Sequence, residues 1–309
     1  MVQKDKVIDI VCNINEAYVQ HCGVMLCSLF MNNKDIHFRV HILHFSISQQ
    51  VQVELSEFVE SLNGEISFYK VNKLEFELPN VQNHYISAET YLRLFISNYV
   101  PSYIEKVLYL DVDMVVLGKI DELVNTDLEN CLLGAIEDSP NADRQKRLDL
   151  PDKYGYFNAG VLLLNLKYWR EHQIMKKSIS FIKRSPEKIR QHDQDVLNVV
   201  ADGHWKRISF KWNMLNTFFF RRPVVEDKYL KEVEDCKRDV RIAHFSGGVK
   251  PWMAWEKHPY HKEYYKYIEY TPWRGYRPSL KQQWTAYKFP RNILRIIGID
   301  KVLVKFLGK

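Results

Sequence analysis

A chain of 309 residues with 46% hydrophobic and 27% charged residues has ordinary globular composition, enough for one large α/β domain or two smaller ones. No apolar run reaches the roughly 18 residues of a membrane span, and five cysteines at 12, 22, 27, 131 and 236 form neither a CxxC site nor an even framework. The formal net charge of +6 is uneven: residues 249–309 hold 13 Lys/Arg against 4 Asp/Glu, a net +9, leaving −3 on residues 1–248. An anionic partner is therefore expected for the tail alone, whether lipid headgroup, nucleic acid or anionic acceptor.

Residues 7–12, VIDIVC, read as a first strand running into Asn13, Ile14, Asn15 and Glu16, small polar groups where open α/β sheets bind ligands. Asp9 interrupts the opening apolar run, which is too short for a secretory leader, and the thiols are expected to be buried in a reducing compartment. A helix over roughly 17–32 follows, then an alternating strand at 37–45, a helix over 49–60 with Ser48 as N-cap, and a third strand at 66–71. This βαβαβ order predicts a parallel sheet with right-handed crossovers. Residues 84–99 predict a helix from about Ser87, with Arg93 either at the surface or reaching a cleft.

The stretch VLYLDVDMVVL, residues 107–117, is the most informative of the chain. Its apolar runs predict one buried central strand, interrupted by Asp111 and Asp113 with Val112 between them. In extended backbone, residues i and i+2 point to the same side, so both acids would face one place. Like charges in an apolar setting need compensation. A divalent cation serving a phosphate-bearing ligand supplies it; two capping acids or an acid–base pair are the alternatives.

A strand at 131–136 ends at Glu137 and Asp138, followed by a polar connection at 139–157 with the length of a lid or binding loop. Asn158 stands at the threshold of the strand VLLLNL (161–166), and a helical segment runs from Trp169 to about 184. Gln191, His192, Asp193, Gln194 and Asp195 crowd the front of an apolar helix, as caps or as a site for several hydroxyls. Residues 204–225 suit a mouth or a packed edge. Residues 240–252 end an apolar run in His244, followed by Gly247, Gly248 and Lys250. Glycines there permit close backbone approach to phosphate, and Lys250 brings a mobile positive charge. His244 is either a core histidine or a cation ligand. Residues 255–288 read as short aromatic helices, and 289–309 as a basic amphipathic helix, docked on the core or lying on an anionic membrane.

Two carboxylates and an imidazole suit Mn²⁺ or Mg²⁺ with phosphate oxygens completing the shell, and zinc is disfavoured for want of thiolates. Walker, dinucleotide-fingerprint and nucleophile-elbow motifs are absent from the sequence, which argues against P-loop NTPases, dehydrogenases and α/β-hydrolases.

VLYLDVDMVV, FNAGVLLLNLKYWR, QHDQDVLN and HFSGGVKPW, with TYLRLFI and IVCNINEAY more loosely, occur in one order across about residues 7–255. Together they resemble the bacterial members of glycosyltransferase family 8, the retaining galactosyl- and glucosyltransferases of lipopolysaccharide assembly. The resemblance implies a GT-A fold, with a Rossmann-like mixed α/β central sheet flanked by helices. It also implies a catalytic domain over 1–255 and an aromatic, basic extension over 256–309. Asp111, Asp113 and His244 correspond to metal ligands for Mn²⁺ or Mg²⁺. Asn13 and Asn15 resemble the nucleotide-binding edge, with Asn13 where relatives often carry Asp, and Val112 lies in the donor-binding motif. Arg93, Asp138, Asn158, Asp193 and Gln194 resemble the sugar pocket, and Gly247 and Lys250 the diphosphate clamp. Asp193, Gln194 and Lys250 are the expected catalytic residues. The implied reaction moves glucose or galactose from UDP-glucose or UDP-galactose to a saccharide or glycolipid acceptor with retention, in the cytoplasm or at the inner face of the cytoplasmic membrane through residues 289–309. No nucleic-acid partner is expected. A non-catalytic nucleotide-sugar binder or a self-glycosylating primer is the alternative.

Overall fold

The computed structural model describes residues 6–72, 88–253 and 258–277. Its opening follows the alternation of the sequence: Lys6–Asn13 (β1), Val19–Asn32 (α1), Ile36–His44 (β2), Gln49–Ser61 (α2) and Glu65–Lys70 (β3). β1 pairs in parallel with β2, and β2 with β3. α1 is buried along most of its length, whereas α2 buries only Leu55, Phe58 and Val59, the one stripe its spacing allows. Ser48 precedes α2 in extended backbone, but its side chain makes no capping bond; its N–H donates to the Glu16 carboxylate at 2.7 Å instead. Asp9 sits inside β1 without a stranded charge, because Arg39 grips both its oxygens at 2.8 and 2.7 Å and His41 lies 2.9 Å away.

The middle of the chain contributes Ile96–Tyr99 (α3), Lys106–Leu110 (β4), Met114–Val116 (β5), Asp121–Val124 (α4), Leu133–Ala135 (β6) and Ala142–Leu148 (α5). Then come Val161–Asn165 (β7), Leu166–Glu171 (α6), Ile174–Arg184 (α7), His192–Ala201 (α8), Trp205–Arg207 (β8), Met214–Leu215 (β9), Leu230–Cys236 (α9), Ile242–His244 (β10) and His261–Ile268 (α10). Two expected helices differ. Residues Ala88–Phe95 wind as a 3₁₀ helix before α3, and the segment after β7 breaks into α6 and α7 at Gln173, which has φ 52°.

A seven-stranded mixed sheet has the order β3-β2-β1-β4-β7-β6-β8, with β7 antiparallel to both β4 and β6. Its strands alternate between two cores. Ile8, Ile10, Cys12, Leu108 and Leu110 belong to the core containing α1, while Val11, Val107, Tyr109, Leu162 and Leu164 belong to the core containing Tyr91, Phe95 and Trp169. A second sheet of three strands has the order β5-β10-β9. The expected single strand over 107–117 is therefore two strands in two sheets, and Asp111, Val112 and Asp113 are the turn between them. The Asp111 N–H still donates to the Gly160 carbonyl at 2.8 Å, extending the β4–β7 ladder by one residue before the chain leaves it.

α10 packs on α1: the Tyr264 hydroxyl meets His21 Nδ1 at 2.7 Å, and Asn32 donates to the Tyr267 hydroxyl at 2.8 Å. Among the described residues no helix is long and apolar enough to cross a membrane. Ser87 and the basic segment 289–309 lie outside the described residues.

Candidate active site

The acidic turn meets His244 because β5 and β10 run antiparallel in a register that pairs Met114 with His244. The Phe245 N–H then closes on the Asp113 carbonyl at 2.9 Å. One ligand atom from each of Asp111, Asp113 and His244 lies within 4.8 Å of the others. His244 Nε2 is 3.2 Å from Asp113 Oδ1, and Lys250 donates to Asp113 Oδ2 and, at 2.9 Å, to the Phe245 carbonyl. Burial would raise the Asp113 carboxyl, but Lys250 and His244 outweigh it and hold it well below the usual carboxylate range. Asp111 accepts at Oδ1 from Tyr109 (2.8 Å) and Arg93 (2.9 Å), which orients its other oxygen for a cation. Two carboxylates and an imidazole with no thiolate form a donor set that fits Mn²⁺ or Mg²⁺.

Two further features seat the imidazole. Gly160 stands against its face: a Cβ there would lie 2.4 Å from His244 Cε1 and 2.7 Å from Nδ1. Asn213, which the sequence reading did not single out, is fully buried and meets His244 Nδ1 at 2.8 Å through Oδ1. Nothing in the run WKRISFKWNM marks that one amide, because its role depends on β9 pairing with β10.

Arg93 is buried, not at the surface, at 5% exposure. The winding of Ala88–Phe95 turns it inward, where its guanidinium covers the Tyr109 ring at 4.4 Å, bonds Asp111 and donates to the Ala159 carbonyl. Its Nε lies 2.7 Å from Asp193 Oδ2 but aims its N–H at the Thr90 carbonyl at 3.2 Å, so Asp193 has a charge partner without an aligned donor on that oxygen. The Thr90 hydroxyl donates to Asp193 Oδ1. Burial pushes the Asp193 carboxyl up to about 6, although Arg93 and Thr90 pull the other way.

The segment 157–160 is the hub. Asn198 grips Phe157 N–H and C=O, Gln194 Oε1 accepts the Ala159 N–H at 2.9 Å, and Gly160 N–H donates to Asn158 Oδ1 at 2.9 Å. Asn158 Oδ1 also accepts from Asn213 at 2.8 Å, so the amide expected to bind a hydroxyl retains only its NH₂ for that task. Gln194 Nε2 donates to Asp138 Oδ2 at 2.7 Å, and Arg144 lies 3.6 Å from the same oxygen. Asp195 is the member of the polar run that the structure turns away from ligand binding. It is fully buried and accepts from Arg147, Tyr156 and the N–H groups of Arg190 and Gln191, tying the 139–157 connection to α8.

Asn13 and Asn15 close the other end. Among the described residues, both polar atoms of the Asn13 amide and Oδ1 of Asn15 are buried without a partner at the C-terminal edge of β1. Such orphans cost about 1–3 kcal/mol each unless a ligand satisfies them. Trp252 stacks on His21 at 3.5 Å and meets Tyr18 edge-on at 5.9 Å, joining the Lys250 segment to α1. Gly247, exposed and three residues before Lys250, takes φ 95°, and among the described residues no atom beyond its chain neighbours lies within 4 Å of the position a Cβ would occupy.

Comparison with known proteins agrees with this geometry. Residues 9–256 match the family described as "Glycosyl transferase family 8". General stress protein A of Bacillus subtilis is 29% identical over 288 residues, covering 91% of this chain and all of that protein. Lipopolysaccharide 1,2-glucosyltransferase of Escherichia coli K12 is 26% identical, covering 90% of this chain and 82% of that one. The crystal structure of galactosyltransferase LgtC with donor and acceptor sugar analogs superposes with a TM-score of 0.79 at 28% identity, covering 86% of this chain and 96% of that one. The mixed sheet and its flanking helices are thus a GT-A fold, and the chain belongs to glycosyl transferase family 8, enzymes that transfer a sugar from a nucleotide-sugar donor to an acceptor.

Proposed function

We propose that the protein is a metal-dependent, retaining hexosyltransferase that takes glucose or galactose from a UDP-sugar and delivers it to a saccharide or glycolipid acceptor of a cell-surface glycan such as lipopolysaccharide. The observation that carries this reading is the convergence of Asp111, Asp113 and His244 within 4.8 Å, beside Lys250 and the buried Arg93–Asp193 pair. Bound there, Mn²⁺ or Mg²⁺ would supply Lewis-acid neutralisation of the diphosphate leaving group. Asp111, Asp113 and His244 would hold it; Lys250 and the open backbone at Gly247 would flank the phosphates. The orphaned Asn13 and Asn15 amides offer both donor and acceptor to the nucleoside. Asp193, through the oxygen lacking an aligned donor, would accept a sugar hydroxyl, with Asn158 and Asp138 joined to the 157–160 hub through Gly160 and Gln194.

Gln194 is held at both ends of its amide, by Ala159 and Asp138, and a neutral amide is a weak nucleophile. Its role in this reading is positional. The acceptor oxygen bonds to the anomeric carbon on the face from which the UDP oxygen departs, and the acceptor proton passes to the departing phosphate.

A donor panel of UDP-glucose, UDP-galactose and UDP-N-acetylglucosamine with Mn²⁺, read by product mass and anomeric configuration, tests the proposal. Turnover of a UDP-hexose that stops on chelation and gives an α-linked product is expected. Preferential turnover of a GDP- or CMP-sugar, or turnover indifferent to chelation, refutes it. A peripheral contact of residues 289–309 with anionic membrane is part of the proposal; vesicle sedimentation should be lost on deleting them, with transfer to a soluble acceptor retained.

A further inference from the structure

We propose that Asn213 is a positioning residue that fixes the proton of His244 on Nδ1 and thereby turns the Nε2 lone pair toward Asp111 and Asp113, an inference that rests on the metal reading above. The Asn158 amide cannot flip. The Gly160 backbone N–H donates to Asn158 Oδ1 at 2.9 Å, so that atom is the oxygen of its amide. Asn213 Nδ2 lies 2.8 Å from the same oxygen and must donate to it. The other end of the Asn213 amide is then its oxygen, 2.8 Å from His244 Nδ1. An amide oxygen carries no hydrogen, so Nδ1 carries it. Nε2, 3.2 Å from Asp113 Oδ1, is then the nitrogen whose lone pair serves a cation when one takes the place of the proton it shares with that carboxylate.

Reversing the Asn213 amide would set two oxygens face to face where both residues are largely enclosed, and Asn213 has no exposed surface through which water could compensate. Gly160 holds the ring against rotation from the opposite face. One backbone N–H of the hub therefore dictates, through two amides, which imidazole nitrogen faces the acidic turn.

The test uses the full chain and Mn²⁺ alone, with binding read from the spin resonance of the free ion. Asn213→Leu, with the same branched skeleton but methyl groups in place of the amide oxygen and nitrogen, should weaken Mn²⁺ binding about 10–100-fold. Asn213→Asp keeps an oxygen on Nδ1 and, with its second oxygen protonated to meet Asn158 Oδ1 in place of the amide NH₂, should retain much more of the affinity than the Leu variant. A purely packing role gives the two variants equal affinity or reverses this order, because both keep the branched skeleton of the side chain; either result, or unchanged affinity in the Leu variant, overturns the proposal. The unsubstituted protein provides an independent check through NMR of isotope-labelled histidine with diamagnetic Cd²⁺. A proton on Nδ1 with metal coupling at Nε2 supports the assignment, and coupling at Nδ1 overturns it. If the unsubstituted protein binds neither ion, the metal reading falls, and this inference with it.

Discussion

Replacing Gly160 by alanine adds one methyl group and should remove most transfer. The added Cβ would sit 2.4 Å from His244 Cε1 and 2.7 Å from Nδ1. Ordinary carbon contacts begin near 3.4 Å, so the ring or the hub must retreat by about 1 Å. The ring cannot retreat freely, because it is buried and bonded to Asn213. Nor can the backbone, because the Gly160 carbonyl accepts from Asp111 and its N–H donates to Asn158. Overpacking of this kind costs about 1–3 kcal/mol of stability. Displacing a reacting group by about 1 Å costs about 100-fold in rate. Gly160→Ala should therefore fold, melt a few degrees lower, and lose about two orders of magnitude in turnover along with Mn²⁺ affinity. Thermal melts, Mn²⁺ titration and steady-state transfer would be measured on the same preparation. Parental metal affinity and turnover in a folded Gly160→Ala protein would refute the claim that this space is needed by the imidazole.

Arg93→Met should cost about 3–5 kcal/mol in urea unfolding, because it strands the buried Asp193 and removes a partner of Asp111; a loss below about 1 kcal/mol would mean the charges are not mutually dependent. Asn13→Ala should leave the stability of the ligand-free protein unchanged or raise it, since among the described residues neither amide atom has a partner to lose, yet weaken UDP binding. The reverse pattern, lower stability with unaltered UDP affinity, would make Asn13 structural. Asp193 titrates near 6 in the folded chain, above the ordinary carboxylate value, so the folded state holds an extra proton between about pH 4 and 6. Its contribution to stability is present below that window and is lost as pH rises through about 6, by about 2–3 kcal/mol. If Asp193 accepts a sugar hydroxyl as proposed, transfer should fall as pH drops below about 6. Unfolding profiles of the parent and Asp193→Asn across pH 4–7 should diverge in that sense; parallel profiles would exclude the shift.

Much of the architecture was legible because it is local. Alternating residues of the opening strands and the single stripe of Leu55, Phe58 and Val59 set β1 to β3 and α2 within a residue or two of their observed ends. Asp111, Asp113, His244 and Lys250 stood out for similar reasons: charged or metal-binding groups directly beside apolar runs are conspicuous without knowledge of their neighbours. Ala88–Phe95 was less transparent, since helical spacing of Tyr91, Leu94 and Phe95 does not distinguish a 3₁₀ winding from an α-helix over so short a span. That winding also decided the placement of Arg93.

The sequence by itself determined the order of the opening β1–α1–β2–α2–β3 elements, the buried character of the central strands and the residue types available for a cation and a phosphate. Tertiary structure decided what those residues do. Periodicity along a strand records which side chains share a face, but not which sheet the strand joins, so 107–117 read as one strand although β4 and β5 pair with different partners. Only the pairing of Met114 with His244 brings the imidazole to the acidic turn. Asp193 and Asp195, two residues apart, show the same limit: one faces Arg93 beside the metal-ligand cluster and the other is saturated by Arg147, Tyr156 and two backbone N–H groups. Their chemistry is identical in the sequence; the side-chain donors that surround each one come from distant segments, and those donors saturate Asp195 while leaving Asp193 Oδ2 without an aligned partner among the described residues.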